Sequence, residues 1–285
     1  MPGHWFSALL KDTLHKWWAD NALRLSAALS YYTLFSIAPL LTIAVGVAGF
    51  VVDTTLVEQE MRGQLAGLLG AESAAAIEGM VHSTREPTTG LIATILSIVT
   101  LIVVSTGMFT ELQDALNLIW KIPSQSKSAA LWGLLRTRLL SFLLVIGTGF
   151  LLVASLIMNA VMAAAGTFIH RAVPEPHVIM TVIDIAGSPI VMAVLFGLMF
   201  KILPEGHIAW RDVWVGAIGT AALFSFGRWA IGLYLGGPAM ASMYGAASSL
   251  MAILVWVYYS ALIFFLGAEF TYVYAHQIGS RRPDA

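Results

Sequence analysis

The 285-residue chain is 58% hydrophobic and 11% charged, with a mean hydropathy of +0.82. That is too apolar for a soluble globule, in which about a quarter of residues are charged. A formal net charge of −1 and the absence of cysteine exclude the basic surface that nucleic acid needs, a disulfide framework and a thiolate metal site. What remains is an integral membrane protein, one domain over 1–285, with no room for a separate catalytic module.

Residues 1–20 place Phe6, Leu9, Leu10, Leu14, Trp17 and Trp18 at helical spacing, with Lys11, Asp12, His15 and Lys16 between them. This pattern predicts an amphipathic helix lying at the cytoplasmic membrane interface, where tryptophans and lysines are at home. Docking onto a partner is the alternative. The Trp-rich start lacks a small-residue cleavage pattern, so the first span is expected to stay as an anchor.

That first span, 27–52, has no ionisable residue and exceeds the roughly 20 residues that cross a bilayer. Pro39 removes a backbone donor and predicts a bend. Ser26, Ser30 and Thr33 recur at i, i+4 and i+7, so this stripe should face protein rather than lipid. It is read equally well as close helix packing, each hydroxyl bonded to its own helix, or as the lining of a pathway.

In 53–89 the acids Asp53, Glu58, Glu60, Glu72, Glu78 and Glu86 outnumber Arg62 and Arg85. Two short external helices fit, broken at Gly67 and Gly70 and ended by Pro87. A second span covers 90–110. Its helix continues past the membrane, since Leu112, Ala115, Leu116, Ile119 and Trp120 keep the period among Glu111, Asp114 and Asn117. Pro123 and the polar run after it stop that helix. Further spans are predicted at 139–168, 178–203, 210–235 and 244–275, joined by connections rich in turn formers. The fold class is therefore all-α, a polytopic membrane helical bundle of six transmembrane helices. No internal repeat supports an inverted-repeat transporter.

With the N-terminus inside, Lys11, Lys16, Arg24, Lys121, Lys127, Arg136, Arg138, Lys201, Arg211, Arg281 and Arg282 fall on the cytoplasmic side. Only Arg62, Arg85 and Arg171 fall outside. This bias predicts that both termini are cytoplasmic and that the acidic loop faces outward.

The seven histidines are scattered without metal-ligand spacing, and there is neither a phosphate-binding G-x-x-x-x-G-K-[ST] loop nor a G-x-S-x-G elbow. No metal, cofactor or enzymatic activity is expected. The informative residues are ionisable groups in apolar surroundings: Asp184, Arg228 and Glu269. Each costs on the order of 2.5 to 3.5 kcal/mol at a helix centre, so each should face the bundle interior with a partner. At about 1.5 Å per residue, Asp184 lies roughly 9 Å below the outer end of its helix and Arg228 roughly 25 Å from the inner end of its own. Their depths nearly coincide, which predicts an Asp184–Arg228 ion pair. Glu269, near the inner end, is expected to reach Arg24 or Lys201. Each pair is alternatively a structural clamp. Gly216, Gly219, Gly232 and Gly236 are read as packing contacts rather than hinges.

The string Asn21-Ala-Leu-Arg24-Leu-Ser26-Ala-Ala-Leu-Ser30-Tyr31-Tyr32-Thr33, followed by Pro39-Leu40, resembles the opening of the YihY/BrkB family of bacterial membrane proteins. The resemblance continues at Leu116-Asn117 with Trp120, at Leu203-Pro204, and at Trp210-Arg211-Asp212-Val213 with Gly216-Ala217. It extends through Tyr244-Gly245-Ala246 and Trp256-Val-Tyr258 with Ser260 to Gly267-Ala268-Glu269-Phe270. It covers nearly the whole chain except the loop between the first two spans. The resemblance implies a six-span inner-membrane protein, labelled in places a virulence factor or a ribonuclease, with export of lipids or small solutes as its suspected activity. The ribonuclease label finds no chemical support in these residues. The reading is a transport or export pathway without its own ATPase, with Arg24, Tyr31, Tyr32, Asp184, Arg228 and Glu269 as its test residues. The alternative is a non-transporting scaffold or assembly factor for envelope components. Membrane lipids are the expected partners, nucleic acid is not, and a homo-oligomer is compatible with the sequence.

Overall fold

A computed structural model describes residues 3–69, 71–85, 107–123, 176–235 and 248–282, and all regular structure among them is helical. The elements are α1 (Gly3–Ala19), α2 (Ala22–Gly49), α3 (Thr54–Leu69), α4 (Ala71–Arg85), α5 (107–119), α6 (Pro176–Ile202), α7 (Trp210–Leu235) and α8 (Ser248–Gln277). The spans expected at 139–168 and over most of 90–110 lie outside the described residues. The stretches expected as the other spans are helical, in α2, α6, α7 and α8, with ends shifted by a few residues. By length and composition, one helix among the described residues, Ser249–Gln277, could cross a membrane. The bent pair Ala22–Ala38 and Leu40–Gly46 in α2 makes a second candidate. The two pieces meet at 43° across Pro39, where the ring removes a helix hydrogen bond.

The helix α8 is the hub. It packs against α7, α2, α1 and α4, which suits a helix that is apolar on all sides. The main core joins α2, α5, α6, α7 and α8 through Leu29, Leu116, Phe200, Val213, Phe265 and Ala268. The helices α3 and α4, expected to be external, do not stand free on a surface. Val57 and Met61 of α3 bury against Ala44, Val45 and Ala48 of α2. Ile77 and Val81 of α4 bury against Ile253 and Val257 of α8. Their charges remain outside, where Arg62 Nε meets Glu78 Oε2 at 3.2 Å across the two helices.

The α7–α8 crossing is the tightest contact described. Going down α7, Gly216 lies under Thr271, Thr220 over Gly267, and Gly227 under Tyr259, an antiparallel register in which each glycine receives a polar side chain from the facing helix. The two threonines satisfy their hydroxyls within their own helices, Thr271 Oγ1 donating to the Gly267 carbonyl and Thr220 Oγ1 to the Gly216 carbonyl, both at 2.7 Å. Gly216 is a packing glycine, as expected. Gly219 is not, since a side chain there would meet open space.

Two reversals at the end that carries the chain termini use residues in the left-handed region. Asn21 (φ 55°) separates α1 from α2, and asparagine is among the residues that accept this conformation most readily. Lys121 (φ 52°) ends α5. There Ile122 N donates to the Asn117 carbonyl at 2.9 Å and Lys121 N to the Leu118 carbonyl at 3.1 Å, a Schellman closure. Glycine usually fills that position, so a lysine there accepts local strain and indicates that its side chain is needed nearby.

Candidate functional site

The reason for Lys121 is Asp20. Lys121 Nζ donates to both oxygens of the Asp20 carboxylate at 2.7 Å, joining chain segments 101 residues apart. Asp20 is the last residue before the α1–α2 reversal and keeps only 15% of its side chain exposed.

The helix α1 runs antiparallel along the last turns of α8, in a register fixed by polar contacts. Gln277 Nε2 donates to Asp12 Oδ2 at 2.7 Å. One turn along, Lys16 Nζ stands 4.5 Å from the centre of the Tyr272 ring. One further turn along, the same register brings Asp20 alongside Glu269, close enough for the two carboxyl groups to act on each other. The steps of four on α1 against steps of three to five on α8 are what two antiparallel helices require. Tyr272 in turn packs edge-on against Trp120, 5.6 Å between centroids, and lies 4.2 Å from the His276 ring.

Glu269 lies at the centre of this assembly and is completely buried. No described residue donates a hydrogen bond to either of its carboxyl oxygens. The charges around it are Asp20, Lys121 and Lys16, not the expected Arg24 or Lys201. Lys201 is used elsewhere, donating to the Ile208 carbonyl at 2.5 Å and standing over Trp210. Arg24 is exposed in the first turn of α2, where its charge acts on Glu111 of α5. The partners differ from the expected ones because α1, expected to lie along the membrane interface, docks on α8 and brings its own acid and lysine. Three other buried groups have no hydrogen-bond partner among the described residues: Trp17 Nε1 on α1, Ser26 Oγ on α2 and Trp120 Nε1 just after α5.

Around this centre lies a polar shelf. Glu205 N donates to Asn117 Oδ1 at 2.9 Å, while Asn117 Nδ2 and Gln113 Nε2 each reach a Glu205 oxygen at 3.5 Å. This pins the α6–α7 connection to α5. Burial, and secondarily the neighbouring Asp114, raises the Glu111 carboxyl above the ordinary carboxylate range, with Arg24 pulling the other way. Buried Asp212 accepts from Ser280 N at 3.3 Å and from Ser280 Oγ at 2.5 Å, tying the segment after α8 to the start of α7.

The remaining sequence-selected residues are spread widely. Tyr31 and Tyr32 are exposed and pack edge-on at 5.9 Å, with Tyr31 4.9 Å from Phe35. Tyr32 also covers Gly107 at the start of α5. Ser26 and Ser30 are buried and Thr33 half-buried, so the stripe faces protein; Ser30 and Thr33 donate to carbonyls of their own helix. Arg228 is exposed on α7. The side chain of Asp184 lies outside the described residues, and with it the expected ion pair. Sequence reasoning missed Asp20, Lys16, Lys121, Asn117 and Glu205. The available signal was the i, i+4 spacing of Asp12, Lys16 and Asp20 along amphipathic α1 and the residue that follows it. Among the described residues no group of three or more His, Asp or Glu side chains could hold a metal ion.

A model of the virulence factor BrkB family matches residues 13–285. The chain belongs to this family. Among curated proteins it is similar to the UPF0761 membrane protein of Alkalilimnicola ehrlichii, 28% identical over 93% of this chain and 58% of the relative. It is similar to the UPF0761 membrane proteins of Rhodospirillum centenum, 25% identical over 92% of this chain and 56% of the relative, and of Azotobacter vinelandii, 26% identical over 88% and 59%. The chain thus spans less than three-fifths of the length of these relatives. No solved structure matches it. The BrkB-family chain is a membrane protein, as the names of its relatives state. Two of the family-like motifs in the sequence, at Asn117 with Trp120 and at Glu269, supply residues to the polar contacts just described, and a third, Leu203-Pro204, immediately precedes Glu205.

Proposed function

We propose that this BrkB-family protein is a six-span plasma-membrane protein, with both termini cytoplasmic, that provides a transport or export pathway for lipids or small solutes and has no ATPase or other enzymatic activity of its own. The bias of lysine and arginine toward the ends that carry the termini supports this orientation. The observation that carries the functional reading is Glu269: a fully buried carboxyl to which no described residue donates a hydrogen bond and which faces a second acid, Asp20, in a membrane protein where such groups are expensive. A scaffold gains nothing from an unsatisfied buried acid and would keep its charges paired. A pathway has a use for one, as a group that takes up a ligand and gives it back.

The test is flux in proteoliposomes holding the purified chain, read with a fluorescent phospholipid for exchange between leaflets and with an entrapped small solute for release. Wild-type protein should exceed protein-free vesicles for one of the probes, and Glu269→Gln should remove the excess without loss of folded protein. Wild-type rates equal to protein-free vesicles for both probes would favour the alternative, a scaffold or assembly factor for envelope components. In that case the partners should copurify from native membranes.

A further inference from the structure

Two carboxyl groups that the α1–α8 register sets against each other, Glu269 and Asp20, pose a problem that the protein must resolve. Two ionised carboxylates have only acceptors and repel; one proton converts the same contact into an O–H···O bond. Asp20 already has a counter-charge in Lys121 at 2.7 Å, while no described residue donates to either oxygen of Glu269. The proton therefore belongs on Glu269. Asp20 is its route to water, since Asp20 is partly exposed and Glu269 is not.

We propose that Glu269 and Asp20 form a binding site for one proton, loaded from the cytoplasmic side through Asp20, and that its occupancy latches α1 onto the end of α8. With the proton bound, α1 is tied to α8 by Asp20–Glu269 together with the Gln277–Asp12 bond and the Lys16–Tyr272 contact. With the proton released to water, a second buried negative charge faces Asp20 across the α1–α8 contact and pushes it open. The carboxyl O–H bond of Glu269 breaks on release and forms on uptake, with water taking or giving the proton, and no other covalent bond changes. The inference stands on the α1–α8 geometry and does not require transport.

The surrounding groups set its sign. From α1 the site sees Asp20 and Lys16, and from the turn after α5 it sees Lys121. On α8 itself Tyr272 and His276 follow on the same face. At this level α7 presents Gly216 and Thr220, neither ionisable, and the α2 ionisable group, Arg24, is exposed and acts on Glu111.

The experiment uses the full chain in lipid and two readouts. Infrared spectroscopy should show a protonated carboxylic acid band near neutral pH that is lost in Glu269→Gln, weakened in Asp20→Asn and strengthened in Lys121→Gln. The chain has no cysteine, so nitroxide labels at Lys11→Cys and Ile278→Cys, both exposed, report the α1–α8 separation without background. Their dipolar coupling should fall as pH rises and the acid band disappears, and should not change with pH in Glu269→Gln. A wild-type spectrum without the acid band, or a separation independent of pH while the band titrates, would overturn the proposal. Should Glu269→Gln fail to fold, Asp20→Asn decides: an acid band of undiminished intensity in that variant counts against the shared site.

Discussion

Substituting Gly216 by alanine isolates the close crossing of α7 and α8. An added Cβ would stand 2.8 Å from Thr271 Cβ and 3.2 Å from its Cγ2, while carbon atoms pack at about 3.5 to 4.0 Å. The helices must separate by about 1 Å or Thr271 must leave its rotamer, and overpacking of this kind costs about 1 to 3 kcal/mol. The crossing resists opening because the same separation loosens Thr220 against Gly267 and Gly227 against Tyr259. Helix propensity works the other way, favouring alanine over glycine by about 1 kcal/mol. Gly219 in the same helix provides the control, because nothing lies within 4 Å of a side chain placed there. Gly219→Ala should therefore stabilise slightly where Gly216→Ala destabilises, a difference of sign within one helix. Adding Thr271→Ala to Gly216→Ala should recover part of the loss, with a coupling of about 0.5 to 3 kcal/mol. Unfolding in detergent, followed by loss of helical circular dichroism, measures all four variants. Equal behaviour of Gly216→Ala and Gly219→Ala, or additive effects of Gly216→Ala and Thr271→Ala, would refute the reasoning.

Asp53 caps α3, accepting from Thr55 N at 2.8 Å and from the Thr55 hydroxyl, and these bonds hold its carboxyl below the ordinary value of 3.8. A lowered carboxyl stabilises the folded state above its unfolded value and loses that contribution as pH falls through it; α3 in Asp53→Ala should therefore show less acid-dependent fraying, read by hydrogen exchange, from a lower starting stability. Asn117→Ala leaves Glu205 N without its acceptor on the α6–α7 connection and should cost about 1 to 3 kcal/mol in the same unfolding assay, whereas exposed Leu118→Ala should cost far less.

The sequence by itself determined that this is a helical membrane protein, where several of its helices begin and end, and that Pro39 bends the first long one. It did so because apolar length, helical period and proline are properties of contiguous residues. It also marked Glu269 as unusual, since a carboxylate amid Phe265, Leu266 and Phe270 is costly whatever surrounds it. Its neighbours were not legible. Asp20 reads as one more polar residue between two helices, and Lys121 as the end of a third. Only the antiparallel docking of α1 on α8, together with the left-handed turn at Lys121, brings the three together. The same holds for Gly216 and Gly219, which look alike in sequence and differ only in that Thr271 lies over one of them. Which helix faces which is set by side-chain fit summed over whole helices, and that sum exists only once the chain has folded.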